Sequence, residues 1–165
     1  MKIAVPEELS IDGFLPFGFY ANLINPDTEK IGATPVEFFR DMVQQGLGNQ
    51  SVVSFSTCRV EPREMIIDVT EYHSFTGEGI LPLDNDVLIH VAPATPDASF
   101  PFGKVRIFKV PQGTMVVLRP GTWHHAPFAI DNKPANVLIV LPERTYANDC
   151  RVVELNKNDW IKIEE

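Results

Sequence analysis

The chain has 165 residues, of which 44% are hydrophobic and 22% charged, and its formal net charge is -8 at pH 7. The length predicts a single domain over residues 1–165, and the acidic balance argues against a nucleic-acid ligand, because phosphate contacts need clustered Lys and Arg. No apolar run reaches the roughly 18–20 residues of a membrane span, and the first residues lack the apolar core of a signal peptide. We therefore expect no membrane partner and a cytoplasmic location.

The first fifty residues contain one helical pattern. In the segment TPVEFFRDMVQQG, apolar side chains recur at helical spacing, at Phe38, Phe39, Met42 and Val43. Pro35 follows a threonine that could cap a helix, and Gly46 lies just past the end. The pattern predicts one short N-terminal amphipathic helix over residues 34–46.

From about Gln50 onward, the sequence consists of short apolar or alternating segments separated by turn residues. These segments, spaced by roughly 8–14 residues, are SVVSFSTCRV, REMIIDVTEYHSF, GEGILPL, DVLIHVAPA, VRIFKVPQG, TMVVLRPG, WHHAPFAI and ANVLIVLP. Many short strands joined by Gly, Pro and Asn turns are typical of a sandwich or barrel. A parallel α/β sheet would need helices between the strands, so we predict an all-β fold.

The C-terminal segment RVVELNKNDWIKIEE alternates at its start, which predicts an edge strand or extended arm whose closing IKIEE is exposed. Cys58 and Cys150 have no short metal-type spacing, so they predict neither a disulfide framework nor a zinc ribbon. We expect both to be buried thiols rather than redox centres.

Two segments concentrate the side chains that bind metals. The first, TEYHSFTGEGILPL, contains Glu71, His73 and Glu78. Strand alternation places Glu71 and His73 on one face, and a turn at Thr76–Gly77 lets Glu78 return to that face on the next stretch.

The second segment, GTMVVLRPGTWHHAPF, contains His124 and His125. A turn at Pro120–Gly121 begins a strand on which His124, Ala126 and Phe128 share one face, while His125 points to the other. If the His124 face is the interior, two imidazoles and two carboxylates converge. Such ligands suit a divalent metal such as Mn, Fe, Ni or Zn, with open positions for a substrate.

Each of these residues also has a structural interpretation. His124 could be a core histidine bonded to a backbone carbonyl, and Glu71 could be a solvated strand residue. The alternate face of His125 favours a structural role or a dimer contact. Arg119 precedes a turn and could form a surface salt bridge. His90, in an apolar run, is predicted to be a satisfied core residue.

The two segments resemble the two cupin motifs. The first motif has the form H-x-H-x(3,4)-E, and here it reads Glu71-Tyr72-His73, then four residues, then Glu78, so glutamate replaces the first histidine. The second motif supplies one histidine from G-x-x-H, which Gly121-Thr122-Trp123-His124 fits. Phe128 stands where the closing asparagine is usual. The resemblance implies a cupin-type antiparallel β-barrel, also called a jelly roll or double-stranded β-helix.

More narrowly, residues 14–155 resemble the ureidoglycolate lyase family of cupins. FLPFGFY resembles its Phe-x-x-Tyr-Gly opening, and EYHSFTGEGILPL resembles its E-R-H-x-x-G-(S/T)-Q-x-F-x-P stretch, with Glu78 in place of glutamine. TWHHAPF resembles V-W-H-H-P-L-F, and NDCRVVEL resembles D-N-C-D-V-E. Leu118-Arg119 stands where the family tends to carry a Tyr-His pair.

The resemblance implies a homodimer that uses a divalent metal ion (Ni, Mn, Zn or Fe) to split the small molecule ureidoglycolate into glyoxylate and urea during purine and allantoin breakdown. In this C–N elimination, a base removes the hydroxyl proton and an acid protonates the departing nitrogen. We assign His73, Glu78 and His124 as metal ligands and Glu71 as a fourth ligand or the general base. Arg119 is the expected partner of the substrate carboxylate, and His125 is a further catalytic candidate.

Two other functions stay open, because the cupin fold hosts many chemistries. A cupin isomerase or dioxygenase-type metalloenzyme acting on another small metabolite would use the same ligands without releasing urea. A non-catalytic cupin would show ligand-induced thermal stabilisation without turnover.

Overall fold

The computed structural model describes residues 2–164, and within them the chain is nearly all β. The strands are β1 (Lys2–Ala4), β2 (Pro6–Glu8), β3 (Gly18–Asn22), β4 (Lys30–Ala33), β5 (Val36–Phe39), β6 (Val53–Val60), β7 (Ile66–Ile67), β8 (Val69–Tyr72), β9 (Glu78–Pro82), β10 (Val87–Val91), β11 (Arg106–Val110), β12 (Thr114–Leu118), β13 (Phe128–Ala129), β14 (Ala135–Pro142), β15 (Arg151–Glu154) and β16 (Ile161–Ile163). The helices are α1 (Ile11–Phe14), α2 (Thr145–Asn148) and two short 3₁₀ turns, Phe102–Lys104 and Lys157–Asp159. Within residues 2–164, no helix is both long and apolar enough to span a membrane.

Two large sheets form the body of the fold. The five-stranded sheet has the order β3-β12-β9-β14-β6 and is antiparallel throughout. The four-stranded sheet has the order β13-β10-β11-β2, in which only β2 runs parallel to its neighbour. Three smaller pairings, β1-β16-β7, β15-β8 and β4-β5, complete the structure. The all-β jelly-roll class predicted from the sequence is confirmed, with open edges on both large sheets within the part of the chain described.

The core lies between the two large sheets. One apolar cluster contains inward-facing side chains of both sheets, such as Ile89 of β10 and Ile139 of β14. A second cluster covers the opposite face of the four-stranded sheet, where Leu88 packs with Trp123 and Ile161. Because β10 is buried on both faces, its sequence VLIHV does not alternate and is apolar at every position except His90.

The strands predicted after residue 50 are present, with some changes at the C-terminus. REMIIDVTEYHSF forms two strands, β7 and β8, and β15 pairs with β8. The predicted exposure of the last segment is wrong for Ile161 and Ile163, which are both buried. The reason is that β16 lies between β1 and β7, and its alternating isoleucines join the second apolar cluster.

The helix predicted over residues 34–46 is wrong. Strands β4 and β5 form a hairpin joined by Thr34–Pro35, and the following residues to position 46 form no helix. A surface helix is stabilised mainly by burying its apolar stripe, but Val36 is 73% exposed and Phe38 60% exposed. Pro35 suits the hairpin connection, because its missing N–H removes no ladder hydrogen bond there.

The short N-terminal helix of the fold is α1. The Ser10 side chain caps it by accepting a hydrogen bond from Gly13 N at 3.2 Å. Phe14 at its end is fully buried and packs edge-on against Phe108, with 5.2 Å between ring centroids. This helix therefore fixes one end of the core rather than covering a sheet.

Candidate metal centre

A tight turn begins the histidine-bearing segment. Thr122 N donates to the Arg119 carbonyl at 3.1 Å, and Gly121 has a φ of 79°. Pro120 followed by a glycine in the left-handed region is the pattern of a type II turn. The Pro120–Gly121 turn predicted from the sequence is present.

Beyond the turn, the chain pairs with the end of β8. Glu71 N donates to the His124 carbonyl at 2.6 Å, and His124 N donates to the Glu71 carbonyl at 2.9 Å. Directly opposed residues of an antiparallel pair point to the same side, so the side chains of Glu71 and His124 become neighbours. His73 follows β8, and Glu78 begins β9 opposite Leu118 of β12.

Glu78 joins the two histidines inside the fold. Its Oε2 lies 2.9 Å from His73 Nε2 and 2.8 Å from His124 Nε2. All three side chains are shielded from solvent, with exposures of 7% for Glu78, 2% for His73 and 3% for His124. The predicted metal ligands therefore meet in one buried cluster.

Both imidazoles are oriented by backbone carbonyls. His73 Nδ1 lies 2.6 Å from the Asp149 carbonyl, and His124 Nδ1 lies 2.8 Å from the Thr122 carbonyl. A carbonyl can only accept, so each Nδ1 carries a hydrogen and donates it. Nε2 of both rings therefore faces the cluster, because a metal-binding histidine whose Nδ1–H is held by a carbonyl presents Nε2 to the metal.

The donor set fits a divalent metal ion. Potential ligand atoms of Glu71, His73 and His124 all lie within 4.8 Å of one another, and Glu78 is in hydrogen-bond contact with both rings. Two imidazole nitrogens and carboxylate oxygens suit Mn, Fe, Ni or Zn. Glu71, His73, Glu78 and His124 could thus hold such an ion.

The contact between Glu78 and His124 moves their two pKa values in opposite directions. Burial would raise the pKa of Glu78, but the charges and hydrogen bonds of His124 and His73 outweigh it and lower this pKa to about 2. Burial would lower the pKa of His124, but the charge and hydrogen bond of Glu78 raise it. A proton on Nε2 must leave before that nitrogen can bind a metal.

His125 lies beside the cluster rather than in it. Burial lowers the pKa of His125, with the charge of Glu71 opposing this and the charges of His124 and Arg63 adding to it. Its ring forms no hydrogen bond within residues 2–164.

The structure does not bring Arg119 to the cluster. Its Nε donates to the Leu15 carbonyl at 3.1 Å, and its guanidinium lies 4.3 Å from the centroid of the Phe19 ring. Arg119 is exposed and its backbone N donates to the Phe17 carbonyl. The turn after β12 directs this side chain toward α1 and β3, so its contact with a substrate carboxylate stays a prediction that these contacts do not support.

The strand predicted at WHHAPFAI is also corrected in part. Trp123 and His124 form single bridges to Ala92 and Glu71, and regular pairing resumes only at Phe128. Phe128 packs with Trp123 in the second apolar cluster, not on the face of His124. Pro127 lacks an N–H and interrupts the ladder, so the alternation does not continue across it.

His90 is buried, as predicted, but only half satisfied. Thr70 Oγ1 donates to the His124 carbonyl at 3.2 Å and lies 3.2 Å from His90 Nε2, so His90 Nε2–H is the donor to this hydroxyl. Nδ1 of His90 has no partner within the described residues. Burial, followed by the charges of His124, His125 and Arg63, holds the pKa of His90 well below its usual value.

Sequence reasoning missed two residues that contact the cluster, Asp149 and Cys150. Asp149 bonds to His73 through its carbonyl, and Cys150 Sγ donates to Glu71 Oε2 at 3.2 Å. Burial, together with the bond to Glu71, raises the pKa of the Cys150 thiol to about 12, so it keeps its proton. The NDCRVVEL resemblance was the available signal, but it gave no role to either residue. Cys58 and Cys150 are partly rather than fully buried.

Comparison with known proteins gives a family and a remote structural likeness. The family model described as ureidoglycolate lyase matches residues 1–162. A structure of Bacillus subtilis oxalate decarboxylase with Mn(II) centres aligns with a TM-score of 0.45 and 19% identity, over 63% of this chain and 24% of the decarboxylase chain. A second oxalate decarboxylase structure has a TM-score of 0.44 and 17% identity over the same shares. This chain thus spans about a quarter (24%) of the length of those proteins. Among curated protein sequences, none matches.

Proposed function

The chain belongs to the ureidoglycolate lyase family, and on that premise we propose that it is a divalent-metal-dependent lyase. The proposed reaction splits ureidoglycolate, or a closely related small hydroxy acid, into glyoxylate and urea. The observation that carries the proposal is the convergence of Glu71, His73 and His124 around the buried Glu78 carboxylate. A set of oriented imidazoles and carboxylates in a water-poor site is suited to metal-assisted chemistry.

The reaction needs one net proton transfer and no other reactant. The hydroxyl O–H bond breaks and a C=O bond forms, while the C–N bond breaks and its electron pair goes to the departing urea nitrogen. That nitrogen must then gain the proton that the hydroxyl lost. The protein must therefore hold a proton near both atoms.

Glu71, a member of the cluster, and His125, which lies beside it, are the residues that can move this proton. Glu71 uses Oε2 to accept the hydrogen bond of Cys150, and its Oε1 makes no hydrogen bond within the described residues, so Oε1 is free to accept the hydroxyl proton. His125, within the electrostatic influence of Glu71, would in its protonated form give a proton to the departing nitrogen and regain one from Glu71, so that the protein ends with the protons it began with. A divalent ion bound by His73, Glu78 and His124, with Glu71 as a fourth ligand until the substrate binds, would supply Lewis-acid polarisation that would lower the pKa of the substrate hydroxyl.

The direct test is release of urea and glyoxylate from racemic ureidoglycolate, with and without chelator. We expect chelator to abolish release, and His73→Ala and His124→Ala to lose both bound metal and activity. His90→Leu is the matched control, because this histidine is equally buried but outside the cluster. Unchanged metal content in both cluster variants contradicts the site, and bound metal without urea release contradicts the reaction.

We also propose that the protein is a homodimer, as its family resemblance implies. The proposal is supported by the β4–β5 hairpin, in which Ile31 pairs with Phe38 and Ala33 with Val36, so that all four side chains share one face. Ile31 is 56% exposed, and the other two large side chains are more exposed still. Light scattering should give twice the mass of one chain, and Phe38→Ser should shift the population toward the single-chain mass. A single-chain mass in the wild type contradicts the proposal.

A further inference from the structure

A two-residue segment, Asp149–Cys150, contacts two members of the cluster from a distant part of the chain. The Asp149 carbonyl accepts a hydrogen bond from His73 Nδ1 at 2.6 Å, across 76 positions of sequence. The Cys150 thiol donates to Glu71 Oε2 at 3.2 Å, across 79 positions. These two bonds reach Glu71, which lies in β8, and His73, which directly follows β8.

The segment is itself fixed against β8. The carboxylate of Asp149 accepts from Ser74 N at 2.7 Å and from Phe75 N at 2.8 Å, so it holds the backbone that directly follows His73. On the other side, β15 begins at Arg151 and pairs in register with β8, with Arg151 opposite Tyr72. Asp149 and Cys150 therefore have little freedom relative to the strand that carries Glu71 and His73.

Each contact restricts one property of a cluster side chain. The bond to the Asp149 carbonyl fixes the hydrogen of His73 on Nδ1 and turns Nε2 toward Glu78. The thiol of Cys150 occupies one oxygen of Glu71, which sets the rotation of the carboxylate and leaves Oε1 unbonded. Such outer contacts orient metal ligands in advance, and their loss typically weakens metal binding about 10–100-fold.

We propose that Asp149 and Cys150 are positioning residues that orient His73 and Glu71 for metal binding. Neither side chain is a ligand: Cys150 acts through Glu71, and the Asp149 carboxylate acts through the backbone that carries His73. The inference rests on the metal centre of the proposed function, and it gives a role to two residues that the NDCRVVEL motif contains but assigns no role.

The test is a titration of metal-free protein with Co²⁺. Binding is monitored by calorimetry and by the electronic absorption spectrum of the bound Co²⁺. We expect Cys150→Ala and Asp149→Ala each to weaken Co²⁺ binding about 10-fold or more. Cys150→Ser keeps a hydrogen-bond donor at the same place, so its affinity should stay within about threefold of the wild type. Cys58→Ala is the matched control, since Cys58 is also a partly buried free thiol but has no hydrogen bond to the cluster, and its affinity should be unchanged.

Several outcomes would overturn the inference. One is an equal Co²⁺ affinity for Cys150→Ala and Cys58→Ala. If the metal-free Cys150→Ala protein then melts at a lower temperature, Cys150 has a purely structural role. Another is a sulfur-to-cobalt charge-transfer band that disappears in Cys150→Ala, because it makes the thiol a direct ligand. A wild type that binds no Co²⁺ also overturns it. A wild type that binds Co²⁺ normally but releases no urea overturns only the proposed reaction.

Discussion

Replacing Glu78 by glutamine removes the charge that joins the two cluster histidines and keeps the size of the side chain. In the wild type, burial acts to raise the pKa of Glu78, but His124 and His73 lower it from 4.5 to about 2. At about 1.4 kcal/mol per pKa unit, this fall is equivalent to about 3 kcal/mol in the free energy of unfolding of the metal-free protein. We therefore expect Glu78→Gln to lower that free energy by about 2–3 kcal/mol near neutral pH.

The sign of the pH dependence follows from the lowered pKa. The contribution of Glu78 is fully present above its unfolded value of 4.5 and is lost as the pH falls toward about 2. The attraction also requires protonated His124, whose pKa is raised by Glu78 against the effect of burial. The difference between wild type and variant should thus shrink again as the pH rises through the raised pKa of His124.

Urea-induced unfolding in the presence of chelator, repeated across this pH range, measures the difference. We expect less than about half of it to remain near pH 3. Glu64→Gln is the control, because Glu64 is exposed and its replacement should change the free energy of unfolding by less than about 0.5 kcal/mol at every pH. A difference between wild type and Glu78→Gln that is constant from about pH 3 to neutrality would refute the ion-pair reasoning.

Three further predictions follow from the site and its surroundings. Arg119→Gln should keep both the Co²⁺ affinity and the kcat/KM of urea release within about threefold of the wild type, because the Arg119 guanidinium contacts Leu15 and Phe19. A loss in kcat/KM of about 100-fold would instead show that Arg119 contacts the substrate. Burial lowers the pKa of His90, so its titration leaves the free energy of unfolding unchanged above the ordinary value of about 6.5 and lowers it by up to about 1.4 kcal/mol per pH unit below that value. His90→Leu should flatten this acid limb in unfolding experiments, and equal slopes would contradict the assignment. Gly121→Ala should lower the free energy of unfolding by about 1–2 kcal/mol, because its φ of 79° disfavours any Cβ; an unchanged unfolding midpoint would show that the turn relaxes.

Local sequence patterns predicted the strands well because alternation and turn chemistry depend on a few consecutive residues. The Pro120–Gly121 turn is one example, since the required φ and the bond between its flanking residues are set within four positions. The same local reasoning was wrong for residues 34–46. A helical spacing is realised only where the chain offers a surface to bury the apolar stripe, and Phe38 has none in its own chain.

The sequence by itself determined the β-rich class and the residue types of the centre: Glu71 and His73 belong to one strand end, and His124 follows a turn. Only the tertiary structure decided which side chains meet. Glu78 and His124 are 46 positions apart, and Cys150 reaches Glu71 across 79 positions. The register of paired strands brings these side chains together, and the same pairing directs Arg119 toward Phe19, away from the cluster. The physical reason is that alternation assigns a side chain to a face of its strand, whereas the identity of the strand opposite that face depends on the packing of the whole chain.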